Sequence, residues 1–89
     1  MTVEQDDLVR QVAAEMGAVL GRPALAADED FFDNGGDSYR AIEIITRLVA
    51  RFGPQDEAAA DAMQAELLMA IFDDSTPAAV APLLRGERR

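Results

Sequence analysis

The sequence of 89 residues predicts an all-α fold, a small four-helix bundle with a long structured loop between its first and second helices. Four segments repeat apolar residues at spacings of three and four, and no segment shows the strict alternation that is typical of a strand. No helix can bury its own apolar stripe, so the four stripes must share one core. We therefore expect a single domain over residues 1–89.

The first helix is predicted over about residues 6–20, where apolar residues recur at spacings of four, four and three. This stripe consists of Leu8, Val12, Met16 and Val19. Gly17 lies inside the segment and would cost about 1 kcal/mol relative to alanine, which makes it a weak position. Gly21 and Pro23 end the helix.

The segment 21–37 is acidic, but it also contains Leu25, Phe31 and Phe32. Large apolar side chains need burial, and long ordered loops are commonly functional. We therefore expect this loop to pack over the helices.

The second helix is predicted over 38–52 and ends at a Gly-Pro pair, with its stripe formed by Ala41, Ile45, Leu48 and Phe52. On its outer side, Glu43 and Arg47 have the spacing of an intrahelical ion pair.

The alanine-rich region 55–72 is either one helix or two shorter pieces. A fourth helix is predicted over 76–85, because a threonine followed by proline is a common helix start. Residues 86–89 form a tail.

The composition excludes several kinds of chemistry. The chain has no Cys, His, Lys or Trp, so it cannot form a disulfide, a Cys/His zinc site, a Ser-His-Asp triad or a Schiff base on lysine. Its net charge of -9 opposes nucleic acid and anionic membranes, and favours partners with basic docking surfaces. We expect a cytoplasmic monomer, and if it takes part in chemistry, we expect the reactive group to come from another molecule.

The most informative segment is Asp33-Asn34-Gly35-Gly36-Asp37-Ser38, at the start of the second helix. Two glycines allow unusual backbone angles and let another molecule approach closely. The Ser38 hydroxyl would lie beside unpaired N–H groups at the positive end of the helix dipole, where a phosphate ester is favoured. In the simpler interpretation, Ser38 or Asp37 is an ordinary N-cap.

The longer run Asp30-Phe31-Phe32-Asp33-Asn34-Gly35-Gly36-Asp37-Ser38, followed by Tyr39-Arg40-Ala41-Ile42, resembles the signature of phosphopantetheine-dependent carrier proteins. Phe52-Gly53 and Ser75-Thr76-Pro77 extend the similarity along nearly the whole chain. The resemblance implies an acyl-carrier-protein type of bundle. It also implies that a phosphopantetheinyl transferase, using magnesium, moves 4′-phosphopantetheine from coenzyme A to Ser38, with Asp37 and Gly36 beside the cofactor.

By the same resemblance, the arm holds acyl or aminoacyl groups as thioesters, and the chain itself has no catalytic residue and no metal site. The implied partners are an adenylating or acyl-loading enzyme, and downstream condensing, tailoring or thioesterase enzymes. Gly35-Gly36 is similar to peptidyl carriers, whereas fatty-acid carriers usually have Gly-Ala. We expect a free-standing, peptidyl-carrier-like protein of nonribosomal peptide or hybrid polyketide secondary metabolism.

Two alternatives stay open. One is an unmodified, carrier-like helical interaction module, and the other is a type II polyketide or fatty-acid acyl carrier, which the acidity favours. Calcium binding fails on spacing, because a loop starting at Asp33 has Ser38 where glycine is required and Ile44 where glutamate is required. A hydrolase using Ser38 would lack a His or Lys base.

We expect the partner-binding residues to be Tyr39, Ile42, Glu43 and Thr46, on the second helix near Ser38. Tyr39 replaces the leucine usual in the family, and it is either a partner contact or a half-buried aromatic with its hydroxyl in water. Asn34 stands where the family usually has an apolar residue, which predicts a loop that is anchored less firmly there.

Overall fold

The computed structural model describes residues 3–86, with side chains from residue 7. Four helices follow one another in this part of the chain: α1 (Val3–Leu20), α2 (Ser38–Phe52), α3 (Glu57–Asp73) and α4 (Pro77–Leu84). Residues 3–86 contain no strand. The predicted all-α, four-helix class is confirmed.

The helix bounds agree with the sequence pattern to within two residues except at the start of α1. The α1 helix begins at Val3 instead of about residue 6, so its first turn precedes the apolar stripe. The alanine-rich region forms one continuous helix, α3, capped by the Asp56 carboxylate. The Thr76 side chain caps α4, which ends at Leu84. Residues 87–89 of the predicted tail lie outside the described part. None of the described helices is both long and apolar enough to cross a bilayer.

One hydrophobic core joins all four helices and the loop between α1 and α2. Its buried apolar side chains are Val12, Ala13, Met16, Val19, Leu25, Phe31, Ala41, Ile44, Ile45, Leu48, Val49, Leu67, Ile71, Val80, Ala81 and Leu84. Leu25 and Phe31 are therefore buried as expected, and Phe32 is partly buried against the same core. The loop is part of the folded unit because its apolar residues are removed from water together with those of the helices.

Gly17 has a packing role that the sequence pattern did not indicate. A Cβ atom at this position would lie 2.8 Å from the carbonyl oxygen of Arg22, closer than real Cβ contacts allow. The absent side chain lets the loop fold back on α1, where the Arg22 N–H donates to the Gly17 carbonyl at 2.9 Å. Glycine lowers helix propensity here, but it is required for this close approach.

The α1 and α2 helices are also joined by charged side chains. Glu15 on α1 accepts hydrogen bonds from Arg47, at 2.9 Å, and from Arg51, both on α2. The predicted Glu43–Arg47 pair is wrong, because the Arg47 guanidinium turns toward Glu15 across the helix interface. The Glu43 carboxylate stays exposed, with no ion-pair partner among the described residues.

Candidate functional site

Ser38 is the first residue of α2, and the residue before it caps the helix. The Asp37 backbone is extended, and its carboxylate accepts a hydrogen bond from the Arg40 N–H at 2.9 Å. Asp37 is therefore the N-cap, and the alternative in which Ser38 is the cap is wrong. The Ser38 side chain is exposed, and its hydroxyl makes no hydrogen bond to the residues whose side chains the structure describes, 7–86. This hydroxyl is available to another molecule.

The surroundings of the hydroxyl suit an attached phosphate ester. The N–H groups of Ser38 and Tyr39 lie in the first helical turn, where no intrahelical carbonyl can pair with them. Together with the helix dipole they provide a partial positive charge next to the Ser38 oxygen, which the negative charge of the capping Asp37 partly offsets. The Arg40 guanidinium instead donates to the Val19 carbonyl at 2.8 Å, which ties the start of α2 to the end of α1.

The two glycines before the serine have different roles. Gly35 has a φ of 108°, which disfavours any residue with a side chain. Gly36 has an ordinary backbone, but a Cβ atom there would lie 2.8 Å from the carbonyl oxygen of Phe31. We expected the glycines to admit another molecule. At Gly36 the close approach is instead made by Phe31 of the same chain, so this glycine lets the turn close on the buried ring.

Asn34 anchors the loop firmly, contrary to the expectation from the sequence. Its amide nitrogen donates to the Asp30 carbonyl at 2.8 Å, and its side-chain oxygen accepts from Arg22 at 2.6 Å. The same guanidinium lies 3.6 Å from the Glu29 carboxylate. Hydrogen bonds therefore take the place of the apolar contact usual in the family, and the loop is fixed at this point.

The sequence did not indicate a polar cluster beneath the turn, in which Ser75 is buried and Asp30 is partly exposed. One carboxylate oxygen of Asp30 accepts from the Phe32 N–H at 2.8 Å, the Asp33 N–H at 3.1 Å and the Ser75 hydroxyl at 2.8 Å. The Ser75 hydroxyl, then the Asp33 N–H, lower the pKa of Asp30 below its ordinary value, and outweigh the opposing effect of burial. Two hydrogen-bonding residues 45 positions apart leave no pattern in the sequence that would pair them.

The predicted partner residues are not equally accessible. Tyr39 is 78% exposed and Ile42 is 52% exposed, so the half-buried interpretation of Tyr39 is wrong. Glu43 is exposed one residue further along α2. Thr46 is exposed too, but its hydroxyl donates to the Ile42 carbonyl at 2.8 Å and accepts from Gln64 on α3 at 2.9 Å. Tyr39, Ile42 and Glu43 thus form the accessible surface that follows Ser38.

Two further apolar side chains are exposed on α3. Met69 is 77% exposed, and Phe72 is 56% exposed. The Phe72 ring stacks on Phe32 of the loop, with ring centres 5.3 Å apart and planes inclined by 15°. The sequence signal was the unbroken apolar run over 67–72, which is longer than one helical turn, so that some of its side chains must face away from the core.

No group of three or more acidic side chains is arranged to hold a metal ion among residues 7–86, whose side chains the structure describes. The fold and the site together define a small helical bundle that presents one serine hydroxyl at a helix start. A family model described as "Phosphopantetheine attachment site" matches residues 10–81, which is most of the chain. The protein therefore belongs to the phosphopantetheine-attachment family, which carries covalently attached 4′-phosphopantetheine. No curated protein and no solved structure gave a significant match.

Proposed function

We propose that Ser38 carries the 4′-phosphopantetheine arm, and that the protein presents acyl or aminoacyl groups on that arm to partner enzymes without catalysing a reaction itself. When attached, the arm supplies a terminal thiol that forms thioesters. This proposal rests on the family match and, above all, on one structural observation. The Ser38 hydroxyl is exposed and has no hydrogen bond among the described residues, while the capping role is taken by Asp37.

Each neighbouring residue has a part in presenting this hydroxyl. Asp37 caps the helix, so Ser38 stands at its first position and the oxygen stays accessible. Gly36 has no side chain, and its N–H donates to the Phe31 carbonyl at 3.0 Å, which holds the turn against the core. The arm would extend from the surface, where a partner can take up its terminal group. Tethering raises the local concentration of that group at the partner's active site.

The charge distribution supports enzymes with basic docking surfaces as partners. The side chains of Arg22, Arg47 and Arg51 contact acidic side chains of the same chain. Glu43 lies exposed on the helix that starts at Ser38, with no such contact to any side chain described over 7–86. With a net charge of -9, the protein would attract basic surfaces over a distance, which increases association rates more than affinity.

We further propose a role in nonribosomal peptide or hybrid polyketide metabolism, supported by Gly35-Gly36 before the modified serine. The partners on this proposal are a phosphopantetheinyl transferase, a loading enzyme that adenylates or transfers the acid, and condensing, tailoring or thioesterase enzymes. We assign Tyr39, Ile42 and Glu43 to their docking surface, with Thr46 at its edge. The cytoplasmic location and the monomeric state stay predictions.

Mass spectrometry tests the attachment. The purified protein is incubated with coenzyme A, magnesium and a broad-range phosphopantetheinyl transferase, and we expect its mass to rise by one phosphopantetheine group. Ser38→Ala should gain no mass. The matched control is Ser75→Ala, which removes the other serine of the chain and should still reach full modification at the end of the reaction. An unmodified native protein would favour the interaction module without an arm.

A further inference from the structure

The loop that carries the glycine turn is fastened to the junction between α3 and α4. Ser75 lies at this junction, and only 2% of its surface is exposed. Its hydroxyl donates to the Asp30 carboxylate at 2.8 Å and accepts from the Phe31 N–H at 3.0 Å. A single buried hydroxyl thus binds two consecutive residues of the loop. The Ala78 N–H, which donates to the Ala27 carbonyl at 3.0 Å, adds a further hydrogen bond between the loop and the start of α4.

Asp30 determines the path of the chain beyond this point. Its carboxylate accepts the N–H groups of Phe32 and Asp33 as well as the Ser75 hydroxyl, so it fixes the turn that starts at Phe31. Hydrogen bonds to a charged acceptor are among the stronger ones in proteins. Removal of the carboxylate would leave three donors without this acceptor, and one of them is the buried Ser75 hydroxyl.

Phe31 connects the hydrogen bonds of Asp30 and Ser75 to the segment that contains Ser38. The ring is fully buried, and the carbonyl accepts the Gly36 N–H at 3.0 Å. Gly36 lies so close to Phe31 that not even a methyl group fits between them. A displaced Phe31 would therefore move Gly36, and with it Asp37 and Ser38, which follow directly in the chain.

We propose that Asp30 and Ser75 are positioning residues for the modification of Ser38, because together they hold the segment 36–38 in the arrangement that a phosphopantetheinyl transferase binds. This inference rests on the proposed function and concerns the same site. Neither residue touches the reacting atoms. If the transferase binds only the ordered turn, its apparent affinity falls in proportion to the fraction of molecules in which the turn is ordered.

The experiment compares transferase kinetics for the native chain, Asp30→Ala, Ser75→Ala and the double variant. The matched control is Asp28→Ala, which removes an equal charge from an exposed side chain of the same loop. We expect each of the two single variants to raise KM at least about fivefold while kcat stays within about twofold. The double variant should resemble the worse single one, since both break the same hydrogen bond. The control should match the native protein.

Hydrogen exchange provides a second readout. In both single variants the amide protons of Phe31 and Gly36 should exchange faster, while those in the middle of α2 keep the native rate. A KM within twofold of the native value in both variants, or a double variant whose effect equals the product of the singles, would overturn the inference. If Asp30→Ala loses its helical circular dichroism, Asp30→Asn takes its place, with Asp28→Asn as control and the same KM criterion. A native protein that gains no mass would instead contradict the proposed function itself.

Discussion

The α2 helix and the loop that precedes it, residues 21–37, are held in the fold by different interactions. The α2 helix buries five apolar side chains, namely Ala41, Ile44, Ile45, Leu48 and Val49. The loop fully buries only Leu25 and Phe31 among its apolar residues, and the rest of its order comes from hydrogen bonds, two glycine contacts and the stacking of Phe32 on Phe72. Ser38 lies at the boundary, as the first residue of the helix.

This difference separates two kinds of perturbation. Loss of apolar packing in α2 lowers the free energy of unfolding of the whole domain, because the core is shared by all four helices. Loss of a hydrogen bond in the loop can disorder the turn before Ser38 while the helices stay folded, since local opening costs less than global unfolding. The following substitutions test this separation, in order of decreasing expected effect.

Leu48→Ala should have the largest effect on stability. Leu48 is fully buried in the middle of α2, and truncation of such a residue costs about 2–5 kcal/mol. Urea unfolding followed by circular dichroism measures the loss. Where the variant is still fully folded, its KM with the transferase should stay within about twofold of the native value, because the fraction of folded molecules is hardly changed. A large increase in KM in the folded variant would mean that the order of the turn before Ser38 depends on the packing of the core.

Gly36→Ala should affect both properties. The added methyl group meets the Phe31 carbonyl, and overpacking of this kind costs about 1–3 kcal/mol. Because the relief must come from a shift of the turn, we also expect slower modification of Ser38 in the mass-spectrometric assay. If this variant has the native free energy of unfolding and is modified at the native rate, the close contact between Gly36 and Phe31 is not required.

Phe72→Ala removes the ring that stacks on Phe32 and should cost about 0.5–1.5 kcal/mol. The matched control is Met69→Ala, one helical turn earlier and more exposed, which should change the free energy of unfolding by less than about 0.5 kcal/mol. Urea midpoints of the two variants give the comparison. Equal midpoints would indicate that the stack does not fasten the loop to α3.

The smallest expected effect is a dependence of the unfolding free energy on pH, caused by Asp30. Since the pKa of Asp30 is lowered in the folded protein, its carboxylate stabilises the fold above the ordinary aspartate pKa, and this contribution is lost as the pH falls through the folded pKa. The difference in unfolding free energy between the native protein and Asp30→Asn should therefore be constant from about pH 7 to 5 and shrink below about pH 4. Urea titrations across this range measure it. A difference independent of pH would contradict the assigned hydrogen bonds.

The helices could be predicted from the sequence because apolar periodicity follows directly from helical geometry, as the buried stripe of Val12 and Met16 shows. The position of Ser38 at a helix start could be predicted as well, from the glycines before it. The pairing of Ser75 with Asp30, the turn of Arg47 toward Glu15 and the close approach to Gly17 could not. The first two depend on elements distant in sequence, whose relative placement no local pattern specifies. The third is local, but it depends on how the loop folds back on α1, which apolar periodicity does not describe.

The most direct test of the central claim is to locate the attached group in the modified protein. Trypsin cleaves after arginine but not before proline, so the segment 11–40 is released as one peptide in which Ser38 and Tyr39 carry the only hydroxyl groups. We expect the phosphopantetheine mass on this peptide, with fragment ions that assign it to Ser38. A group found on Tyr39, or on a peptide that contains Thr46 or Ser75, would contradict the account.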